Sequence, residues 1–429
     1  MFLWQMICHE HLIFMKSLSR CIGYLRLGCR ILRLLLLCPV VILFPRDRKK
    51  IIFGAWWGNQ FADNPRYFLQ YILQLKMGYK CYWVGKSHLK DLVDKVPGVT
   101  FVRKDSLSAI WHVLTAKWFV SNLGVDADIT TFPTYGKIKF LTFWHGTIIK
   151  GPAYGGRSVK IEGNFFHRLA MRFYVPEFNV ACPLYAYASF SNEDMRYSMP
   201  KECPWQFKPE WSIAAGTPRI DYLIQNVGNN VELRRVREKC AKILSIPLDK
   251  KWYLYAPTFR KGLAVTYTFL DCKDRVLLDE ILERNNAIII EKQHPQIIEA
   301  RNIADMKSNT LYIVSKVQSR ELEMQELLLA CDRLITDYSS SFFDFEAMAR
   351  PVIHFAYDYN TYSSDKRGVL YSLHDIAAGP VVKTEKELIS AIGMSDNELL
   401  SKKGPKAAER IAGEKGNACE TFAKWVGLI

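Results

Sequence analysis

From Lys49 onward, short runs of β-branched and aromatic residues alternate with longer stretches whose apolar positions lie three and four apart. The first pattern predicts buried strands and the second amphipathic helices. In the first half, strands are predicted over 51–55, 81–84, 100–103, 117–121, 139–143 and 211–215, with helices between them over 64–77 and 106–115. A polar, charged stretch over 216–250, containing Gly228-Asn229-Asn230, then interrupts the pattern. A second series follows, with strands over 252–256, 287–291, 311–314, 334–336 and 352–356 and helices over 274–284, 320–331 and 340–349. The remaining C-terminal residues read as mostly helical.

Repeated strand-then-helix order predicts an α/β fold with parallel sheets wound on both faces. Two such series imply two Rossmann-like domains with a cleft between them. The expected division is an N-terminal segment over 1–47, a first domain over 48–225 and a second over 226–429. In folds of this kind ligands sit in the cleft facing the carboxyl ends of the strands.

The N-terminal segment reads differently. Leu34–Phe44 is an apolar run of 11 residues interrupted by Pro39, whereas a membrane-spanning helix needs roughly 20. Upstream, Arg26, Arg30 and Arg33 share one helical face, while Leu18, Cys21, Ile22, Leu25, Cys29, Leu32 and Leu36 share the other. That is the pattern of a basic amphipathic helix lying in the plane of lipid headgroups. A buried terminal helix and a signal-anchor are the alternatives; Pro45-Arg46-Asp47-Arg48 is a poor cleavage site, which argues against a cleaved signal peptide.

Charge supports this reading. The 429-residue chain carries a net charge of +15, and its first 50 residues hold nine basic side chains against Glu10 and Asp47. Positive charge beside an apolar helix points to an anionic membrane surface more than to a nucleic-acid groove. The 11 cysteines are scattered singly with no Cys-x-x-Cys pair. This spacing offers no zinc site and implies a reducing, cytoplasmic compartment.

The polar residues of interest fall just past strand ends. Strand 139–143 leads to Trp144-His145-Gly146-Thr147 and Lys150, and strand 252–256 to Pro257-Thr258-Phe259-Arg260. Strand 287–291 leads to Lys292-Gln293-His294-Pro295, and strand 334–336 to Asp337-Tyr338-Ser339-Ser340-Ser341 and Asp344. Strand 352–356 leads to Tyr357-Asp358, with Lys366-Arg367-Gly368 beyond. A histidine on a glycine turn, with an ordinary pKa of about 6.5, suits proton acceptance near neutrality. Hydroxyls and free N–H groups at a helix start suit phosphate, and Arg260 and Arg367 suit its oxygens. His294 is placed to donate to a pyrophosphate or a departing phosphate. His88, His112, His167, His354 and His374 read as structural, and Asp126-Ala127-Asp128 as a loop without metal. Walker A, Gly-x-Gly-x-x-Gly, His-Glu-x-x-His and Gly-x-Ser-x-Gly patterns are all missing from the sequence.

These motifs, in this order and together with Gly216-Thr217-Pro218-Arg219-Ile220-Asp221, resemble the CDP-glycerol glycerophosphotransferase family, the teichoic-acid primases and polymerases. The resemblance implies a GT-B fold with acceptor on the first domain and a CDP-alditol donor on the second. It implies transfer of a polyol phosphate to a hydroxyl of a lipid-linked glycan or a teichoic or capsular polymer, with release of CMP. It makes His145 the general base and His294 a second catalytic residue. Donor-binding falls to Thr258, Arg260, His294, Asp337, Ser339, Ser340, Asp344, Arg367 and Gly368, and acceptor-binding to Gly146, Thr147 and Lys150. CDP-glycerol or CDP-ribitol is the expected donor, with no cofactor and no metal. The expected setting is the cytoplasmic face of the cell membrane, bound peripherally, with the oligomeric state left open. Where family members often continue Thr-Pro-Leu-Lys after the His-Gly pair, this chain has Thr147-Ile148-Ile149-Lys150. The rival readings are a GT-B glycosyltransferase using a nucleotide-sugar, and a non-enzymatic basic protein binding an anionic polymer or nucleic acid.

Overall fold

The computed structural model describes residues 36–37, 41, 43–130, 132, 134, 138–147, 149, 186–202, 207–258, 266–293, 309–363 and 371–429. The expected basic helix lies outside them, as do Lys150, Arg260, His294, Arg367 and Gly368.

The first sheet has seven strands: β1 (Asp47–Phe53), β2 (Lys80–Gly85), β3 (Val99–Arg103), β4 (Ala116–Ser121), β5 (Lys139–Thr142), β6 (Tyr187–Ser189) and β7 (Ser212–Ile213). Their spatial order is β3-β2-β1-β4-β5-β6-β7, and every pairing is parallel. The second sheet has β8 (Lys251–Tyr255), β9 (Ala287–Glu291), β10 (Leu311–Ile313), β11 (Arg333–Thr336), β12 (Val352–Phe355) and β13 (Val381–Val382). Its order is β10-β9-β8-β11-β12-β13, again all parallel. Helices cover both faces, so the central strands are apolar on both sides; β9, for example, is buried along its whole length. Each sheet reverses its winding once, between β1 and β4 and between β8 and β11. Ligand-binding crevices form at such switch points.

Seven helices matter for the site: α1 (Asp63–Gln74), α2 (Leu107–Thr115), α3 (Pro218–Asn226), α4 (Asn230–Leu244), α5 (Met324–Ala330), α6 (Ser341–Glu346) and α7 (Ala418–Trp425). The polar stretch expected as a seam forms α3 and α4, and α3 is largely buried through Pro218, Arg219, Ile220, Asp221 and Leu223. The helix expected over 320–331 is broken at Leu322. Glu323 instead caps α5, accepting the N–H groups of Gln325 (2.7 Å) and Glu326 (3.1 Å).

The chain's end returns to the first sheet. Although α7 lies within the segment expected to form the second domain, Cys419, Phe422, Ala423, Val426 and Leu428 pack with Phe53, Phe68 and Phe143 in the first sheet's core. Phe422 meets Phe143 edge-on at 4.7 Å. Asp221 of α3 anchors this return by accepting the first N–H groups of α7, those of Ala418 (2.9 Å) and Cys419 (2.8 Å). Cys81, Cys240, Cys272, Cys331 and Cys419 are buried free thiols.

Candidate active site

The loops after β1, β4 and β5 interlock through backbone held in unusual conformations. Trp56, Trp57, Asp63 and Trp144 all have φ between 49° and 65°, a left-handed region that disfavours residues with a Cβ and clusters at functional sites. Buried acceptors hold them there. Asp128 takes the N–H groups of Trp57 (2.8 Å), Asn122 (3.2 Å) and Leu123 (2.9 Å). Burial pushes Asp128 up to about 6, against the pull of those hydrogen bonds. The segment expected as a loop at 126–128 thus closes a short helix, Val125–Asp128. No metal-binding group of His, Cys, Asp or Glu side chains occurs among the described residues.

His145 stands on the turn after β5. Its ring is flanked by Trp144, with centroids 4.6 Å apart, and meets Trp56 edge-on at 5.9 Å. It is hydrogen-bonded to the Asn122 backbone. Its Nδ1 is buried and has no hydrogen-bond partner among the described residues. Burial lowers its pKa below the ordinary value, and Arg219 adds to this while Asp63 opposes it. The neutral imidazole is therefore the favoured form near pH 7.

Gly146 adopts φ 142°, and a Cβ there would lie 2.6 Å from Ser340 Oγ and 3.0 Å from an Arg219 nitrogen. No side chain fits. The histidine turn of the first lobe therefore abuts the serine turn of the second. Thr147 is buried and donates to Ser191 Oγ at 2.8 Å.

On the second lobe, β8 and β11 deliver Thr258 and Asp337 side by side. Asp337 Oδ1 accepts Thr258 N–H (2.9 Å), the Thr258 hydroxyl (2.6 Å) and Tyr338 N–H (2.6 Å). His354 supports this turn from beneath. Its Nδ1–H donates to the Asp337 carbonyl (2.9 Å), while its Nε2 accepts Ala378 N–H (3.0 Å). Burial pushes its pKa down to about 4, so the ring is neutral near pH 7, and the two hydrogen bonds set its tautomer. Ser339 and Ser341 share a hydroxyl–hydroxyl bond of 2.9 Å ahead of α6. Because α6 has only six residues, the turn's own hydroxyls and N–H groups are a better phosphate seat than the helix dipole.

Asp344 has a different setting from the expected one. Its Oδ1 accepts Arg219 Nη2 at 2.9 Å and its Oδ2 accepts Gln325 Nε2 at 2.6 Å. Burial pushes its pKa up to about 6, with Arg219 opposing. Asp344 is thus turned inward onto a buried arginine. Arg219 also pairs with Asp63 (3.1 Å) and donates to the His145 carbonyl (3.0 Å). Burial alone would weaken the Arg219 charge, but Asp344 and Asp63 outweigh it and raise its pKa. Asn64 completes the cluster, accepting Arg219 N–H (3.1 Å) and donating to the Trp144 carbonyl (3.0 Å). Sequence reasoning assigned no role to Asp63, Asn64, Gln325 or Arg219. The one available signal was the position of Arg219 inside the Gly216–Asp221 motif.

A glycine turn carrying a neutral histidine, set against a hydroxyl turn on a second doubly wound lobe, is the arrangement the motifs anticipated. The model of the CDP-Glycerol:Poly(glycerophosphate) glycerophosphotransferase family matches residues 36–419. The chain belongs to this family. It is 32% identical over 364 residues to a teichoic acid poly(glycerol phosphate) polymerase of Bacillus spizizenii (strain ATCC 23059 / NRRL B-14472 / W23), covering 83% of this chain and 86% of that protein. It is 30% identical over 353 residues to the Bacillus subtilis (strain 168) protein of the same description, of whose length it covers 44%. A teichoic acid glycerol-phosphate transferase of Staphylococcus aureus (strain NCTC 8325 / PS 47) is 25% identical over 395 residues, covering 88% of this chain and 94% of that one. The solved structure of the wall teichoic acid polymerase TagF superposes with a TM-score of 0.72 at 22% identity, covering 94% of this chain and 98% of the other. The fold is accordingly α/β and GT-B-like, and the protein is a transferase of the glycerophosphotransferase family.

Proposed function

We propose that the protein moves glycerol phosphate from CDP-glycerol onto an acceptor hydroxyl at the gap between the two lobes. The bond formed joins the acceptor oxygen to the donor phosphorus nearest the polyol, the bond broken links that phosphorus to CMP, and the acceptor proton passes to His145. Positioning and charge stabilisation supply most of the catalysis. In this reading Thr258, Asp337, Ser339 and Ser340 line the donor pocket with Arg260, His294, Arg367 and Gly368. His294 and the two arginines take up charge on the departing CMP. Gly146, Thr147 and Lys150 face the acceptor. CDP-ribitol is the related alternative donor, and the scheme calls on no resident cofactor or metal.

The observation that carries this reading is the abutment of the His145–Gly146 turn on Ser340. It brings the histidine turn of one lobe beside the hydroxyl turn of the other, which supports reading them as base and phosphate seat. Incubation with CDP-glycerol, CDP-ribitol and a set of nucleotide-sugars tests it. CMP release from a CDP-alditol, stimulated by a glycerol-phosphate-primed acceptor, is the expected result. Turnover of a nucleotide-sugar alone would overturn it.

We further propose that the acceptor is lipid-linked and that the protein sits peripherally on the cytoplasmic membrane face, through the basic amphipathic segment ahead of residue 36. Among the described residues no helix is long and apolar enough to cross a membrane. Where the chain leaves that segment, Leu43 is 81% exposed, and Phe44 packs edge-on against Trp111 of α2. Leu107 and Trp111, one turn apart on α2, are 87% and 57% exposed. This apolar face lies beside Phe44 and suits insertion among headgroups. Vesicles containing phosphatidylglycerol are expected to bind the protein in a salt-sensitive way, and Leu107→Glu with Trp111→Glu to weaken that binding. Unchanged binding by the variant would remove α2 from the membrane face.

A further inference from the structure

One guanidinium holds both lobes and the histidine turn together. Arg219, 7% exposed, extends from the start of α3 between Asp63 of the first lobe and Asp344 of the second. Its remaining donor capacity at Nη1 goes to the His145 carbonyl. A second route reaches the ring itself. Asp63 Oδ2 accepts Asn122 Nδ2 at 2.9 Å and Trp56 Nε1 at 3.1 Å, and the Asn122 backbone and the Trp56 ring both meet the imidazole. Lysine could not reproduce this. Its ammonium is a point donor, whereas the planar fork reaches two carboxylates and a carbonyl at once.

Resting on the reading of His145 as the base, we infer that Arg219 is a positioning residue for the transfer. It ties the His145 turn to α6 of the donor lobe, so that the base and the donor-seating turn keep one spacing. Arg219 touches no reacting atom; it acts through the backbone of His145 and through Asp63. Misplacement of a reacting group by about 1 Å costs on the order of 10²-fold in rate.

Three substitutions separate this role from a merely structural one. Arg219→Lys keeps the charge and loses the fork, so kcat is expected to fall about 10²-fold with the KM for CDP-glycerol little changed. Arg219→Gln loses the charge as well. The charged groups facing the ring among the described residues are Asp63 on α1, Arg219 on α3 and, behind Arg219, Asp344 on α6. With Arg219 neutral, Asp63 acts on the imidazole unopposed, and the acid limb of the pH–rate profile moves up. Asp63→Asn moves it down. His145 titration by NMR in the same variants reads these shifts without any donor present. A wild-type protein inert towards CDP-glycerol would sink the functional reading, and the NMR titration would still test the positioning role. Folded Arg219 variants with kcat within threefold of wild type, or a loss confined to KM, would overturn the inference. Should the Arg219 variants fail to fold, Asp63→Asn carries the test, and an unmoved His145 titration would overturn it.

Discussion

Replacing His145 with alanine is expected to lower CMP-releasing turnover by about 10²–10⁴-fold, the usual contribution of a general base. Affinity for CDP-glycerol should change little, because the proposed scheme sets the imidazole against the acceptor oxygen and not the nucleotide. The pH dependence follows from the same environment. Burial, with Arg219 adding to it, lowers the imidazole pKa below 6.5, so the ring stays neutral at pH 7, the form the proposed base needs. The rate should fall only as the pH drops through that lowered value, and the alanine variant should lose this acid limb. Steady-state kinetics from pH 4.5 to 8 with donor binding by calorimetry checks both parts. Turnover within threefold of wild type would remove His145 from the chemistry.

The second large effect is on stability. Asp344→Ala leaves Arg219 buried with Asp63 as its remaining carboxylate partner. A buried ion pair adds little net stability, since desolvation offsets its attraction, but orphaning one partner typically costs about 3–5 kcal/mol. Asp344 is 2% exposed, and its raised pKa shows the desolvation at work. Because Arg219 keeps Asp63 and the His145 carbonyl, the loss in urea unfolding should be clear but fall below that range, and the folded fraction should bind CDP-glycerol as the wild type does. Unchanged stability with weakened donor binding would return Asp344 to the donor pocket, the role its place in the motif first implied.

Why the sequence singled out Ser339 and not Arg219 is a matter of distance along the chain. The central strands of the second sheet, β9, β11 and β12, are buried along their whole length, so continuous apolar runs such as Ile288–Ile290 mark them directly. The strands that escaped, β6 and β13, have three and two residues, too few to leave a pattern. The break before α5 hides behind Glu323, which looks like an ordinary exposed helix residue until its carboxylate is seen capping the next helix. Strand-end motifs are local, and the turn following a parallel strand is confined to the cleft by topology alone. His145, Thr258, Asp337 and Ser340 were therefore legible as a group. The charge cluster is not local: Arg219 lies 156 positions from Asp63 and 125 from Asp344. Only the packing of α3 between the lobes brings them together. A polar, charged stretch on paper was easier to read as a linker than as a buried bridge.

A structure of the wild-type protein with CDP-glycerol bound tests the account most directly. The nucleotide-side phosphate is expected on the Ser339–Ser341 turn. The phosphorus nearest the glycerol should face His145 across a gap wide enough for one acceptor oxygen, about 3–3.5 Å from each reacting atom. A donor seated away from that turn, or an imidazole walled off from the phosphorus by Trp56 or Trp144, would contradict it.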